Sequence, residues 1–215
     1  MLSGGALALA LVVVLAGSMV MGLVSFGLGM VLSPPLLLIM EPQSVVVTIN
    51  SLTIPILAIV LLRTWRLLPF RDVLPMALAG VAGVPVGVLI LDSVSPGALR
   101  IAIAVLILLL LVPITLKLER PFTQPRLTTP FFGFLGALLV TGMGVGTPLV
   151  VLYLVNQKWG ASDIRASIAF YSFVVAITAA ALYAVMGFYT EERVDTLLKL
   201  TPMVVLGVVS ASFMA

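Results

Sequence analysis

Cysteine and histidine are both missing from the 215 residues. Their absence removes disulfide staples, thiolate nucleophiles, imidazole acid–base chemistry and the usual zinc, copper or nickel ligand sets. Charge is nearly as scarce. Charged residues make up 9% of the chain, with 11 Lys+Arg and 8 Asp+Glu, where a soluble domain carries about 25%. With 62% hydrophobic residues the chain cannot cover a water-facing surface, which excludes a cytosolic enzyme. An integral membrane protein is left. The first charge is Glu41, so the opening apolar run lacks the basic start of a secretory signal and is expected to stay in the mature protein.

Carboxylates are also absent from the long apolar blocks. Glu41, Asp72, Asp92 and Glu119, then Asp163, Glu191, Glu192 and Asp195, all fall between blocks. A proton-coupled carrier commonly keeps an ionisable group in its pathway. Coupling here would instead need a proton riding on the substrate, or a cation such as Na⁺ held by exposed carbonyls. Nothing in the composition asks for a metal, a cofactor or a nucleic-acid partner.

The blocks run Gly5 to Met40, Val45 to Leu62, Val73 to Leu91, Ile101 to Leu116, Phe131 to Val155, Ala166 to Phe188 and Leu200 to Ala215. A bilayer core about 30 Å thick takes about 20 helical residues per crossing. Most blocks fit one crossing, but the first would extend ~54 Å as a single helix. It must break. Gly22, Gly27 and Gly29 lead there to Ser33-Pro34-Pro35, and serine before proline reads as an N-cap before a first helical position. The fifth block repeats the arrangement with Gly142, Gly144 and Gly146 before Thr147-Pro148.

The doubling predicts an internal repeat. Val47-Thr48-Ile49 resembles Ala166-Ser167-Ile168, and Pro75, Met76 and Gly80 reappear as Pro202, Met203 and Gly207. With the two hydroxyl–proline pairs, the offsets are 114, 119 and 127 positions. The reading is an all-α polytopic protein of two membrane repeats, 1–116 and 131–215. A basic cytoplasmic linker, 117–130, joins them with Lys117, Arg120 and Arg126. The second repeat ends before a counterpart to the block Ile101 to Leu116.

Arg63, Arg66 and Arg71 share one loop, and two crossings put them on the linker's face, which the positive-inside rule makes cytoplasmic. If the broken blocks turn back, Lys158 and Arg165 join that face; if they cross, Arg193 and Lys199 replace them and the balance is the same. Turning back is preferred, because the remnant helices are short and paired glycine-interrupted segments mark inverted-repeat transporters. Each repeat then holds a re-entrant hairpin, the halves are inverted, and the N-terminus lies outside.

Bare backbone survives at membrane depth only where protein buries it or water reaches it. Residues 27–33 and 141–147 should therefore line one internal cavity, including Thr141. A helix starting there aims unpaired N–H groups and its positive end at that cavity, which is an anion site without a basic side chain. Pro34 and Pro35 remove two amide hydrogens and Pro148 one, so the second start is expected to hold the anion more tightly, through Thr147, Leu149 and Val150. Thr48, Asn50 and Ser51 in the second block, and Ser167 and Tyr171 in the sixth, are candidates to complete the pocket. Thr53, Ser172 and Thr178 are the other polar residues of those blocks. Arg165 would stand at the mouth. Glycine and proline also kink membrane helices for packing alone, and it is their pairing at matching places that favours a site.

The two glycine-rich breaks ending in Ser33-Pro34 and Thr147-Pro148, the small-residue rows after them and the basic linker resemble the TauE/SafE family of permeases. The resemblance implies export of sulfite, sulfoacetate or other organosulfonates across the cytoplasmic (inner) membrane of a bacterium or archaeon, with import in some members. It implies a pocket lined by Gly27, Gly29, Ser33 and Pro34 with Gly142, Gly144, Gly146, Thr147 and Pro148. The rows Thr48 to Ser51 and Ala166 to Ser167 would complete it. The function expected is secondary transport of a small sulfur-containing anion by alternating access, in the bilayer and with a homodimer as a further expectation. An anion channel and a non-transporting accessory subunit are the rival readings.

Overall fold

In the computed structural model, which describes residues 4–115, 125–157 and 159–214, all regular structure is helical. The order is α1 (Gly4–Val24), α2 (Leu28–Leu36), α3 (Pro42–Thr64), α4 (Phe70–Ser93), α5 (Pro96–Thr115), α6 (Pro125–Met143), α7 (Thr147–Asn156), α8 (Ala161–Val185) and α9 (Glu191–Met214). A 3-10 turn, Trp65–Leu67, follows α3. Six of the helices, α1, α3, α4, α6, α8 and α9, are long and apolar enough to cross a bilayer. The protein is an all-α polytopic membrane protein. Lys117, Arg120 and Lys158 lie outside the described residues, as does most of the expected linker. α6 begins at Pro125, ahead of the expected repeat boundary at 131.

α2 and α7 have only 9 and 10 residues, about half a crossing each. Both fold back on the helix before them. A Cβ on Gly17 of α1 would overlap Leu32 Cδ1 of α2. On one continuous helix those residues would stand ~22 Å apart. In the second hairpin the Phe132 ring stacks on Tyr153, with centroids 4.9 Å apart and planes at 19°. The chain reverses at both breaks.

The breaks share one geometry. Ser25 ends α1 with φ 66° and its N–H donates to Met21 O at 2.7 Å. Gly144 ends α6 with φ 75° and its N–H donates to Val140 O at 2.8 Å. Gly27 then precedes α2 and Gly146 precedes α7. Each pair is 119 positions apart, as are the first residues of α3 and α8, Pro42 and Ala161.

That register corrects the expected helix starts. α2 does not begin at Ser33; Pro34 and Pro35 lie inside it, close to its C-terminal end. The left-handed turn through Ser25 and Gly27 (φ 97°) already reverses the chain, and the helix begins directly after it. Thr147 is the first residue of α7, not its cap. Ser33-Pro34 and Thr147-Pro148 are therefore not equivalent, and the offset of 114 has no structural counterpart.

Helix pairing follows the same correspondence. The broadest contacts are α4 along α6 and α9 along α1, with α3 against α8 next. Small residues set the spacing, as in membrane helix pairs generally. A Cβ on Gly83 or Gly133 would overlap the facing Phe134 or Met76 carbonyl. Across the other seam, a Cβ on Gly207 would come within 2.7 Å of Ser18 Cβ and 2.8 Å of Leu15 O. α3 and α8 form the centre, with Val45, Val46, Val47, Ile49 and Leu52 buried on one and Ile168, Ala169, Tyr171 and Val175 on the other.

Candidate functional site

The two breaks meet. Gly29, in the first turn of α2, lies so close to Gly144 that a Cβ would overlap its carbonyl oxygen. Beside this contact is a cavity of about 30 Å³, walled by the first turn of α2 and by residues 144–148. Asn50 and Thr53 of α3, Thr147 of α7, and Tyr171 and Ser172 of α8 supply its polar side chains. Of the residues singled out in the sequence, Gly27, Gly29, Asn50, Tyr171, Gly144 and Gly146 line it, as do Thr147 and Pro148.

The lining is largely apolar, and free backbone donors belong to four of its residues. The N–H groups of Leu28, Gly29, Met30 and Thr147 find no acceptor among the described residues, as the first turn of a helix requires. Leu149 N–H is used on Gly146 O at 3.0 Å, and Pro148 has none to offer. The amide count on which the expected ranking of the two starts rested therefore runs the other way. Pro34 and Pro35 fall outside the first turn of α2, so α2 keeps all of its free amides while α7 loses one.

Most polar side chains at the cavity are already committed. Asn50 Nδ2 donates to Val46 O at 2.9 Å, to Val140 O at 3.0 Å and to Tyr183 OH at 3.5 Å. Tyr171 OH donates to Gly133 O at 2.7 Å, and Thr53 Oγ1 to Ile49 O at 2.8 Å. Ser172 differs: its Oγ is buried and has no partner among the described residues. It faces the same small space as the free amides.

The remaining candidates sit elsewhere. Ser33, Thr48 and Ser167 are buried with hydroxyls that find no partner among the described residues, but none lines the cavity. Pro34 is within α2, and Gly142 seats α6 against α4, where a Cβ would come within 2.9 Å of Gly87 O. Ser51 Oγ lies 2.8 Å from Tyr189 OH. Thr141 and Arg165 serve the breaks themselves. When a helix stops, its last carbonyls lose their partners. Gly22 O is taken by Arg165 Nη2 at 2.8 Å, while Arg165 Nε reaches Ser25 Oγ at 3.3 Å. Thr141 O, 119 positions after Gly22, accepts instead from Tyr183 OH at 2.6 Å. Arg165 is therefore a clasp on the first break, not part of the cavity wall. It also steadies Ser25, whose left-handed backbone costs about 1–2 kcal/mol relative to glycine.

Thr53, Ser172 and Met21 are cavity residues that the sequence reading did not place there. A signal existed. The offset of 119 between Thr48 and Ser167 also pairs Thr53 with Ser172, hydroxyl with hydroxyl, and Met21 with Val140. No group of three or more acidic residues gathers into a metal site among the described residues.

A family model described as "Sulfite exporter TauE/SafE" matches residues 9–215. The chain belongs to the TauE/SafE family. Comparison with curated proteins and with solved structures finds no match. TauE/SafE proteins are membrane transporters of the sulfite-exporter type, and the six helices of this TauE/SafE member that are long and apolar enough to cross a bilayer agree with that.

Proposed function

We propose that this protein is a secondary transporter, acting as an exporter, of small sulfur-containing anions such as sulfite and organosulfonates. The anion would be held between the starts of α2 and α7. The observation that carries this reading is the donor set at the cavity: four free amides and the Ser172 hydroxyl around one space, with no competing carboxylate in its lining. Two helix N-termini add partial positive charge there. At about 30 Å³ the cavity has room for a few waters and is narrow for a sulfur oxyanion. Loading an anion requires the hairpins to part, which is the rocking step of alternating access and favours a carrier over an open channel.

The test is sulfite binding to purified protein, with thiosulfate, sulfate, sulfoacetate and phosphate compared. Ser172→Ala should weaken sulfite about tenfold, the worth of one hydrogen bond to a charged group. Thr147→Val should weaken it less, since the amide remains. Wild-type affinity in both variants would reject the site.

Inverted halves are part of the proposal. Both hairpins reverse, and α3, α4 and α5 separate the return of the first from the start of the second; the reading takes the 20-residue apolar α5 as a third crossing beside α3 and α4. The two hairpins then enter from opposite faces. With Arg63, Arg66, Arg71 and Arg126 on the cytoplasmic side, the N-terminus lies outside. An N-terminal tag should react with a membrane-impermeant label on intact cells; labelling seen only after lysis would overturn the arrangement.

A further inference from the structure

A second cavity, of about 450 Å³, opens where α4 and α6 begin and α7 ends. Its wall carries Arg71, Arg126, Gln157 and Trp159, and the Asp72 carboxylate lines it with them. Arg71 is in the first turn of α4 and Arg126 in the first turn of α6. A cation at that end of a helix opposes the macrodipole, at a cost of about 0.3–1 kcal/mol each. Neither guanidinium makes a hydrogen bond or ion pair with a described residue, so no internal partner offsets that cost.

The remaining groups point the same way. Gln157 Nε2 is buried without an acceptor among the described residues. Tyr153 OH is engaged by Thr129 and does not answer it. Three carbonyls near the end of α7 are taken: Gln157 N–H donates to Tyr153 O at 3.2 Å and Leu154 O at 3.1 Å, and Asn156 Nδ2 to Leu152 O at 2.9 Å, while Asn156 Oδ1 is buried without a donor among the described residues. What faces the cavity is two arginines and an unanswered amide donor, against the single carboxylate of Asp72.

The corresponding cavity, between the end of α2 and the start of α9, is also about 450 Å³ but has the opposite character. Glu41 and Glu192 line it, and its Arg193 is used on Ser44 Oγ and Phe188 O, both at 2.9 Å.

We propose that the cavity between Arg71, Arg126 and Gln157 is a second oxyanion site, on the basic face. It would take a tetrahedral oxyanion, carried either by a free solute or by a lipid headgroup phosphate. Arg71 and Arg126 bind the charge, and Gln157 Nε2 donates a directed hydrogen bond. A solute held there is concentrated at the mouth before the hairpins part, and the glutamates of the other cavity prevent the same accumulation at the far end.

Trp159 in the wall reports on occupancy. The chain has two tryptophans, and Trp65→Phe leaves Trp159 alone. The full chain carrying that substitution is placed in phosphatidylcholine nanodiscs and titrated with sodium sulfate, with chloride holding ionic strength constant. A saturable change in Trp159 emission is expected. Arg71→Gln with Arg126→Gln should weaken it at least tenfold, and Gln157→Leu several-fold. If the emission change appears instead on moving to phosphatidylglycerol discs without sulfate, and both arginine substitutions remove it, the oxyanion is a lipid phosphate. No response in either lipid, or a response untouched by the arginine pair and by Gln157→Leu, overturns the site. Ser172→Ala serves as the control: it should leave the Trp159 response intact, so failure here and failure of the central pocket are read separately.

Discussion

Gly29→Ala is expected to abolish transport and to lower the apparent Tm by ~6–12 °C, as about 3 kcal/mol does in a chain of this size. The added Cβ would overlap the Gly144 carbonyl oxygen and sit 3.1 Å from its carbon. Both partners are backbone, so no rotamer change relieves the clash. Nor can Gly144 move freely, because its N–H is bonded to Val140 O and Asn50 ties that same carbonyl to α3. Separating the breaks would pull the free amides of α2 away from Thr147 and Ser172. Gly97→Ala is the control, since a Cβ there meets nothing within 4 Å. Proteoliposome flux and thermal unfolding would check the pair; wild-type flux and Tm in Gly29→Ala would mean that the breaks do not touch.

Much of this was legible from length and spacing. A first apolar block of ~54 Å cannot cross straight, and the structure breaks it at residues 25–27. Glycines before a short apolar helix marked the second break within a few residues. The starting residue of α2 was not legible. Ser33-Pro34 carries a strong capping signal, yet Gly27 takes a left-handed φ of 97° six residues earlier and reverses the chain first. Competition between a local capping preference and a turn forced by packing is decided by contacts such as Leu32 against Gly17, which no window of sequence contains. One misplaced start then produced a false offset and a wrong count of the free amides at α2. The partners of the breaks were hidden for a related reason. Arg165 meets Gly22 across 143 positions and Asn50 meets Tyr183 across 133, so burial and type suggested polar roles without indicating which carbonyl each would satisfy.

Gly144→Leu tests the central cavity more directly, because strain and filling can be separated at this position. With φ at 75°, any L-residue here is strained by about 1–2 kcal/mol. Space near the backbone is ordinary: a Cβ would lie 3.6 Å from Val46 Cγ2 and 3.8 Å from Ile49 Cδ1. Gly144→Ala should therefore lose that strain energy in stability while keeping measurable sulfite binding. Leucine adds three carbons beyond Cβ, and Gly144 lines a cavity of about 30 Å³ that cannot take them without displacing the anion. Gly144→Leu should reduce sulfite affinity more than a hundredfold and stop flux, although its unfolding temperature should resemble that of the alanine variant. The difference between the two variants is the informative quantity. If leucine and alanine bind sulfite equally, the anion rests somewhere other than between the starts of α2 and α7, and the free amides of Leu28, Gly29, Met30 and Thr147 serve only to end the helices.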